Sequence, residues 1–182
     1  MEPLPIFLSL AFSLTADFVF LNTPWELLGI FLFILVQYFH RSLLHIPPLL
    51  FFRHSLILTL FFIFAAFLLK VKSSLLLTAA LFYFSLLLEN FYHAVNRSFR
   101  LLPRIFSVCL SMLLVCDLHV GLYNLPRFIP NLPTALQYYC RQIAQPLIWL
   151  FYIPSQLIMV FLLIISLRRH LLRRFLLRQN SL

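Results

Sequence analysis

The 182-residue chain reads as an all-α, polytopic transmembrane protein with four to six membrane segments, and three observations carry that reading. Hydrophobic residues make up 63% of it and charged residues 10%, with a mean hydropathy of +0.98. Soluble domains run at roughly 45–50% apolar and about 25% charged, so a water-soluble globule is excluded. The apolar residues fall into long runs, and the net charge of +9 lies in the stretches between them. Membrane-protein loops carry charge in this way, whereas a nucleic-acid-binding domain concentrates it in a surface stripe, so no nucleic acid is expected as a partner. The same composition excludes a disordered tail and a disulfide-rich secreted module.

Six apolar segments follow in order: about Leu4–Leu21, Leu27–Phe39, Ser55–Leu69, Leu75–Tyr92, Ile105–Leu125 and Leu147–Leu167. Crossing a hydrocarbon core of about 30 Å takes about 20 helical residues. The first, fourth, fifth and sixth reach or approach that length. The second and third, at 13 and 15 residues, are short. They either draw on flanking polar residues that snorkel, or form a re-entrant or tilted hairpin around His45-Ile46-Pro47-Pro48. Trp25 and Trp149 stand near segment starts, where amphipathic rings anchor at the interface. The stretch from Pro126 to Pro133 holds three prolines and is expected to end the fifth helix. Pro154, inside the last segment, predicts a kink.

One helical membrane domain, residues 1–167, is expected, followed by a basic tail, 168–182. At 100° per residue the tail places Leu167, Leu171, Leu172, Phe175 and Leu176 on one half of the wheel and most arginines on the other. That amphipathic helix suits anionic lipid headgroups, or serves simply as a stop-transfer anchor. With six spans, ten basic residues fall on the side of both termini and four on the other, namely Lys70, Lys72, Arg127 and Arg141. The positive-inside bias then puts both termini inside.

Two glycines and two lysines against twelve arginines are unusual even for a membrane chain. Phe, Leu, Ser and Pro have pyrimidine-rich codons, so a strand-skewed organellar or viral genome would give this profile, as would chance in a nuclear gene. The start Met1-Glu2-Pro3 lacks a basic region, which argues against a signal peptide and an arginine-rich presequence. Cys109, Cys116 and Cys140 have no metal-ligand spacing, and the first two share a helix face, so buried free thiols are expected.

Ionisable groups at membrane depth cost roughly 2.5–3.5 kcal/mol on insertion scales, and three places qualify. In the stretch from Glu89 to Arg104, steps of four and three align Glu89, His93, Arg97 and Arg100 on one face. Such a row either neutralises itself as the helix leaves the bilayer, lines an aqueous half-channel, or holds a heme propionate or quinone. Asp117 and His119 lie late in the fifth segment. There Asp117 calls for a partner, most simply an arginine, and Gly121 invites close backbone approach. Asp17 is expected at the interface. Gln156, beside Pro154, is expected to face protein. His40, His45 and His54 flank the short segments at no ligand spacing and are expected at the interface. No hydrolase constellation stands out.

Two families share short motifs with this chain. Ser98-Phe-Arg100-Leu-Leu-Pro-Arg104-Ile-Phe-Ser107-Val-Cys-Leu110, with Gln156 52 residues after Arg104, resembles the arginine-bearing helix and the later glutamine of ATP synthase subunit a. That resemblance implies a proton channel in which Arg100 or Arg104 prevents proton short-circuit and Glu89 and His93 pass protons. The family's asparagine after the arginine and the acid of its last helix have no counterpart here. Tyr92-His93-Ala-Val-Asn96 resembles the heme-ligand stretch of the succinate dehydrogenase cytochrome b subunit, which implies His93 as a heme b ligand.

The leading expectation is a membrane subunit of a multi-subunit complex, in the mitochondrial inner membrane and energy-transducing, with other membrane subunits as partners, no resident cofactor and no catalysis of its own. The alternatives are a heme- or quinone-binding anchor of a respiratory complex, and a small endoplasmic-reticulum or viral membrane scaffold.

Overall fold

Hydrocarbon offers backbone N–H and C=O groups no water, so a chain this apolar satisfies them inside helices. The computed structural model describes residues 2–97, 101–129 and 132–179, with side chains through 172. Every secondary element among the described residues is helical. The order is α1 (Pro3–Asn22), α2 (Glu26–Leu43), α3 (Pro48–Leu68), α4 (Leu75–Asn96), α5 (Leu101–Phe128), α6 (Thr134–Tyr138), a π-helical turn (Tyr139–Ile143) and α7 (Ala144–Gln179). Counting α6, the π turn and α7 as one run, six helices are long and apolar enough to cross a membrane.

Local chemistry sets the ends. Pro3 opens α1 and Pro48 opens α3, in first-turn positions whose N–H would have no helical partner. Thr23 closes α1 by donating its hydroxyl to the Val19 carbonyl, and Ser74 opens α4 by accepting the Leu77 N–H at 3.1 Å. His45 and Lys70, in the turns after α2 and α3, adopt positive φ. Both turns reverse the chain within a few residues.

Four expectations need correction. The second and third segments are helices of 18 and 21 residues, longer than the 13 and 15 expected and each long enough to cross a membrane, which agrees with the lengthened-span alternative and not with a re-entrant hairpin. The polar residues that interrupt their hydropathy, Gln37, His40 and Arg41 on α2 and His54 on α3, lie inside the helices and have neighbours there. Pro126 does not end α5, which runs on to Phe128. A proline in the last turn removes one hydrogen bond where the helix is already ending. The last span starts at Thr134, well before Leu147, so Trp149 sits within the helical run instead of at its start. The π turn falls where Pro146 lacks the N–H that the Gln142 carbonyl would take. Finally, Gly121 faces open space and serves no close approach. Gly29 does so instead, because a Cβ there would stand 2.5 Å from the Phe20 ring.

The helices α1, α2, α4, α5 and α7 close a ring by successive contact, α1 also meeting α7. Helix α3 stands outside it, packed against α4. Short turns make neighbours antiparallel, so the bundle has two rims. An arginine rim gathers the ends of α2 and α4 and the starts of α3 and α5, with Arg41, Arg97 and Arg104. A lysine rim holds Lys70, Lys72 and the Arg127–Glu26 ion pair, with N–O distances of 2.9 and 3.1 Å. The backbone of α7 passes Pro154 and carries the helix on to Gln179, into the basic tail.

Inside the ring, Ile6, Leu86, Leu87, Phe106, Leu110, Met159 and Leu162 form the core. Cys109 is buried with them and donates its thiol to the Ser155 carbonyl, and Cys116 and Cys140 are buried and free as expected. Lipid tails are as apolar as leucine, so this core holds by close packing more than by a hydrophobic driving force. Phe106→Ala is therefore expected to cost about 2–4 kcal/mol through its cavity. Phe61→Ala, on the outer face at 64% exposure, is expected to cost under about 0.5 kcal/mol. Unfolding titrations of both variants in mixed micelles check the contrast.

Candidate functional site

The ionisable side chains collect in two polar layers separated by leucine. On the arginine side, Glu89 of α4 is buried and its Oε1 accepts from His54 Nδ1 on α3 at 2.9 Å and from His93 Nε2, one helical turn on, at 3.1 Å. Helical spacing brings His93 to Glu89, and the α3–α4 packing brings His54. Beside them Asn90 donates to the carbonyl and to the side-chain oxygen of Gln37, at 2.9 and 3.0 Å. His40 is buried edge-on against Phe106. Arg41 donates to the Ile46 carbonyl and lies 4.5 Å above the Tyr38 ring.

On the lysine side, Asp117 of α5 accepts a hydrogen bond from the Tyr83 hydroxyl of α4 at 2.6 Å. Asp17 of α1 accepts one from the Tyr152 hydroxyl of α7. Cys116, the residue before Asp117, is buried. His119 donates from Nδ1 to the Val115 carbonyl, which leaves Nε2 to accept from Tyr139 at 3.1 Å. Its ring stacks on Phe151. Phenol-to-carboxylate bonds of this length are charge-assisted, and they satisfy an acid without importing a second full charge.

Between the layers α4 carries Leu86 and Leu87, essentially unexposed, and α5 carries Leu110 and Leu113. Six residues separate Tyr83 from Glu89, about 9 Å along the helix. On the α3–α4 seam a polar step enters this gap, where Thr59 donates to Ser85 at 3.0 Å, and buried Ser13, one turn from Asp17 on α1, and Ser155 on α7 are polar there as well. Ser55, also buried, lies one turn from Thr59 towards His54.

These positions revise the expected row of charges. Glu89 and His93 pair, but α4 ends at Asn96 and leaves Arg97 as an exposed cap. Ser98 and Arg100 lie outside the described residues. Arg104 is exposed in the first turn of α5, and Gln156 is half-buried on α7. No hydrogen bond joins the two among the described residues. Asp117 finds a tyrosine where an arginine was expected, and Asp17, expected at the interface, is held between α1 and α7. His54 and His40 lie within the bundle, one on a carboxylate and the other in the core. Signals for some of this exist in the sequence: Gln37, His40 and Arg41 recur at steps of three and four on one face of α2. Tyr83 gives no such signal, being one aromatic in a greasy run.

Among the described residues no group of three or more His, Cys, Asp or Glu side chains is arranged to hold a metal ion. The His93 Nε2, which the second resemblance would turn towards a heme, is occupied by Glu89. The double-mutant cycle of Tyr83→Phe with Asp117→Asn is expected to give a coupling of about 0.5–2 kcal/mol in unfolding titrations, with both single variants destabilised. Tyr123→Phe paired with Asp117→Asn should give none. Comparison of the chain with protein-family models, with curated proteins and with solved structures finds no match.

Proposed function

We propose that the protein is a membrane-embedded subunit of a larger energy-transducing assembly, and that its two polar layers relay protons from opposite faces of the bilayer. One observation carries the reading: three carboxylates stand at membrane depth, each bonded to a phenol or imidazole on a neighbouring helix. Intramembrane acids are costly and mark ion or proton pathways. Carboxylate, imidazole and phenol are the side chains that exchange protons along a hydrogen-bonded chain. Glu89, with His54 and His93, serves the arginine side. Asp117, Tyr83, Asp17 and Tyr152 serve the lysine side, with His119 and Tyr139 nearer the surface.

The leucine band between the layers is what a relay needs to avoid a leak. A partner subunit or the Ser55–Thr59–Ser85 seam completes the path. The mitochondrial inner membrane fits the pyrimidine-skewed composition and the resemblance to ATP synthase subunit a. In that setting Arg100 or Arg104 is the charge that blocks back-flow.

The test uses native membrane vesicles containing the intact assembly, with an acidification-sensitive dye. Glu89→Gln and Asp117→Asn keep size and hydrogen bonding but cannot titrate. Each is expected to lower proton flux by about a hundredfold or more, within the range general acid–base groups contribute, while the assembly stays intact on native gels. Unchanged flux in both variants refutes the relay.

A further inference from the structure

The seam between α3 and α4 changes character along its length. In the arginine half, Ser55, Thr59 and Ser85 are small and buried, and the two helices are joined by the Thr59–Ser85 and His54–Glu89 bonds. One turn further the same faces present Ile63 and Phe67 on α3 and Leu77 and Leu81 on α4. These bulkier side chains hold the helices apart, and a groove of about 500 Å³ opens between them. It runs to the lysine rim, with Ala66 in its wall and Lys70, Ser73 and Thr78 around its mouth. Over Ile63 to Lys70 the helical rise gives it a depth of about 10 Å.

The mouth concentrates charge. Lys70 stands here and Lys72 lies two residues on in the same turn; they are the chain's two lysines and both are exposed. Neither is in an ion pair among the described residues, and the nearest acid along that rim, Glu26, is taken by Arg127. The Lys72 N–H bonds the Phe128 carbonyl, which ties the turn to the end of α5 and fixes the lysines at the rim. Lysine binds phosphate as a point charge at the end of a flexible stem.

We infer that this groove is a binding site for one anionic phospholipid, with an acyl chain between α3 and α4 and the phosphate at Lys70 and Lys72. An apolar slot that opens sideways to the bilayer and ends under two unpaired cations matches that ligand in both halves. The site is distinct from the arginine tail, which lies at the opposite rim. The inference rests on the chain lying in a bilayer and is independent of the proton relay.

Native mass spectrometry of the purified protein, incubated with dioleoyl-phosphatidylglycerol or dioleoyl-phosphatidylcholine, tests it. Wild type is expected to retain one phosphatidylglycerol in preference to phosphatidylcholine. The double variant K70Q/K72Q is expected to lose that preference, by roughly tenfold in retention. Ala66→Leu, which fills the slot, is expected to reduce retention of both lipids with both lysines in place. R168Q/R169Q is expected to leave the tightly held lipid bound. Equal retention of the two lipids by wild type, unchanged retention in K70Q/K72Q, or loss in R168Q/R169Q alone overturns the site. Unaltered proton flux in K70Q/K72Q separates this outcome from the fate of the relay.

Discussion

A polar side chain placed in hydrocarbon has only other side chains and backbone carbonyls to turn to, and this bundle is organised around that shortage. Asp117 is met by Tyr83, Asp17 by Tyr152 and Glu89 by His54, and each bond joins two different helices. Within membranes such a bond contributes modestly, about 0.6 kcal/mol on average. An acid left unmatched costs several times more. The asymmetry, more than the strength of any one bond, selects the packing in which every submerged acid has found a neighbour.

The ring of five helices follows from the same pairing. The Tyr152–Asp17 bond closes α7 onto α1, and the Tyr83–Asp117 bond joins α4 to α5, so two of the ring's contacts carry a half-buried acid. Gln37 and Asn90 tie α2 to α4 in the other layer. Leucine and phenylalanine fill what remains, and their packing separates the layers. Leucine thus lies between the titratable groups of the two layers. Helix α3 contributes a histidine to the arginine-side layer while remaining outside the ring.

Side-chain size varies along the α3–α4 seam that carries the groove. Serine and threonine draw α3 and α4 together in one half, and isoleucine, phenylalanine and leucine hold them apart in the other. The groove is thus written into the order of small and large residues at four-residue spacing, and the two lysines cap the wider half.

Much of this was legible in the residue order. Hydropathy over twenty residues is a local property, so the spans of α1, α4 and α5 and the all-helical class follow from it directly. The Glu89–His93 pair was legible because helical spacing alone brings the two together, and the shared face of Cys109 and Cys116 for the same reason. Hydropathy misjudged the lengths of α2 and α3, since it scores His40, Arg41 and His54 as exits from the membrane when the bundle buries or pairs them. The partners of Asp17, Asp117 and Glu89 were decided by tertiary structure alone. Tyr152 lies 135 residues from Asp17 and Tyr83 lies 34 from Asp117. A tyrosine in an apolar run looks the same whether its hydroxyl meets lipid headgroups or an acid. Only the packing of helices against one another brings donor and acceptor within bonding distance.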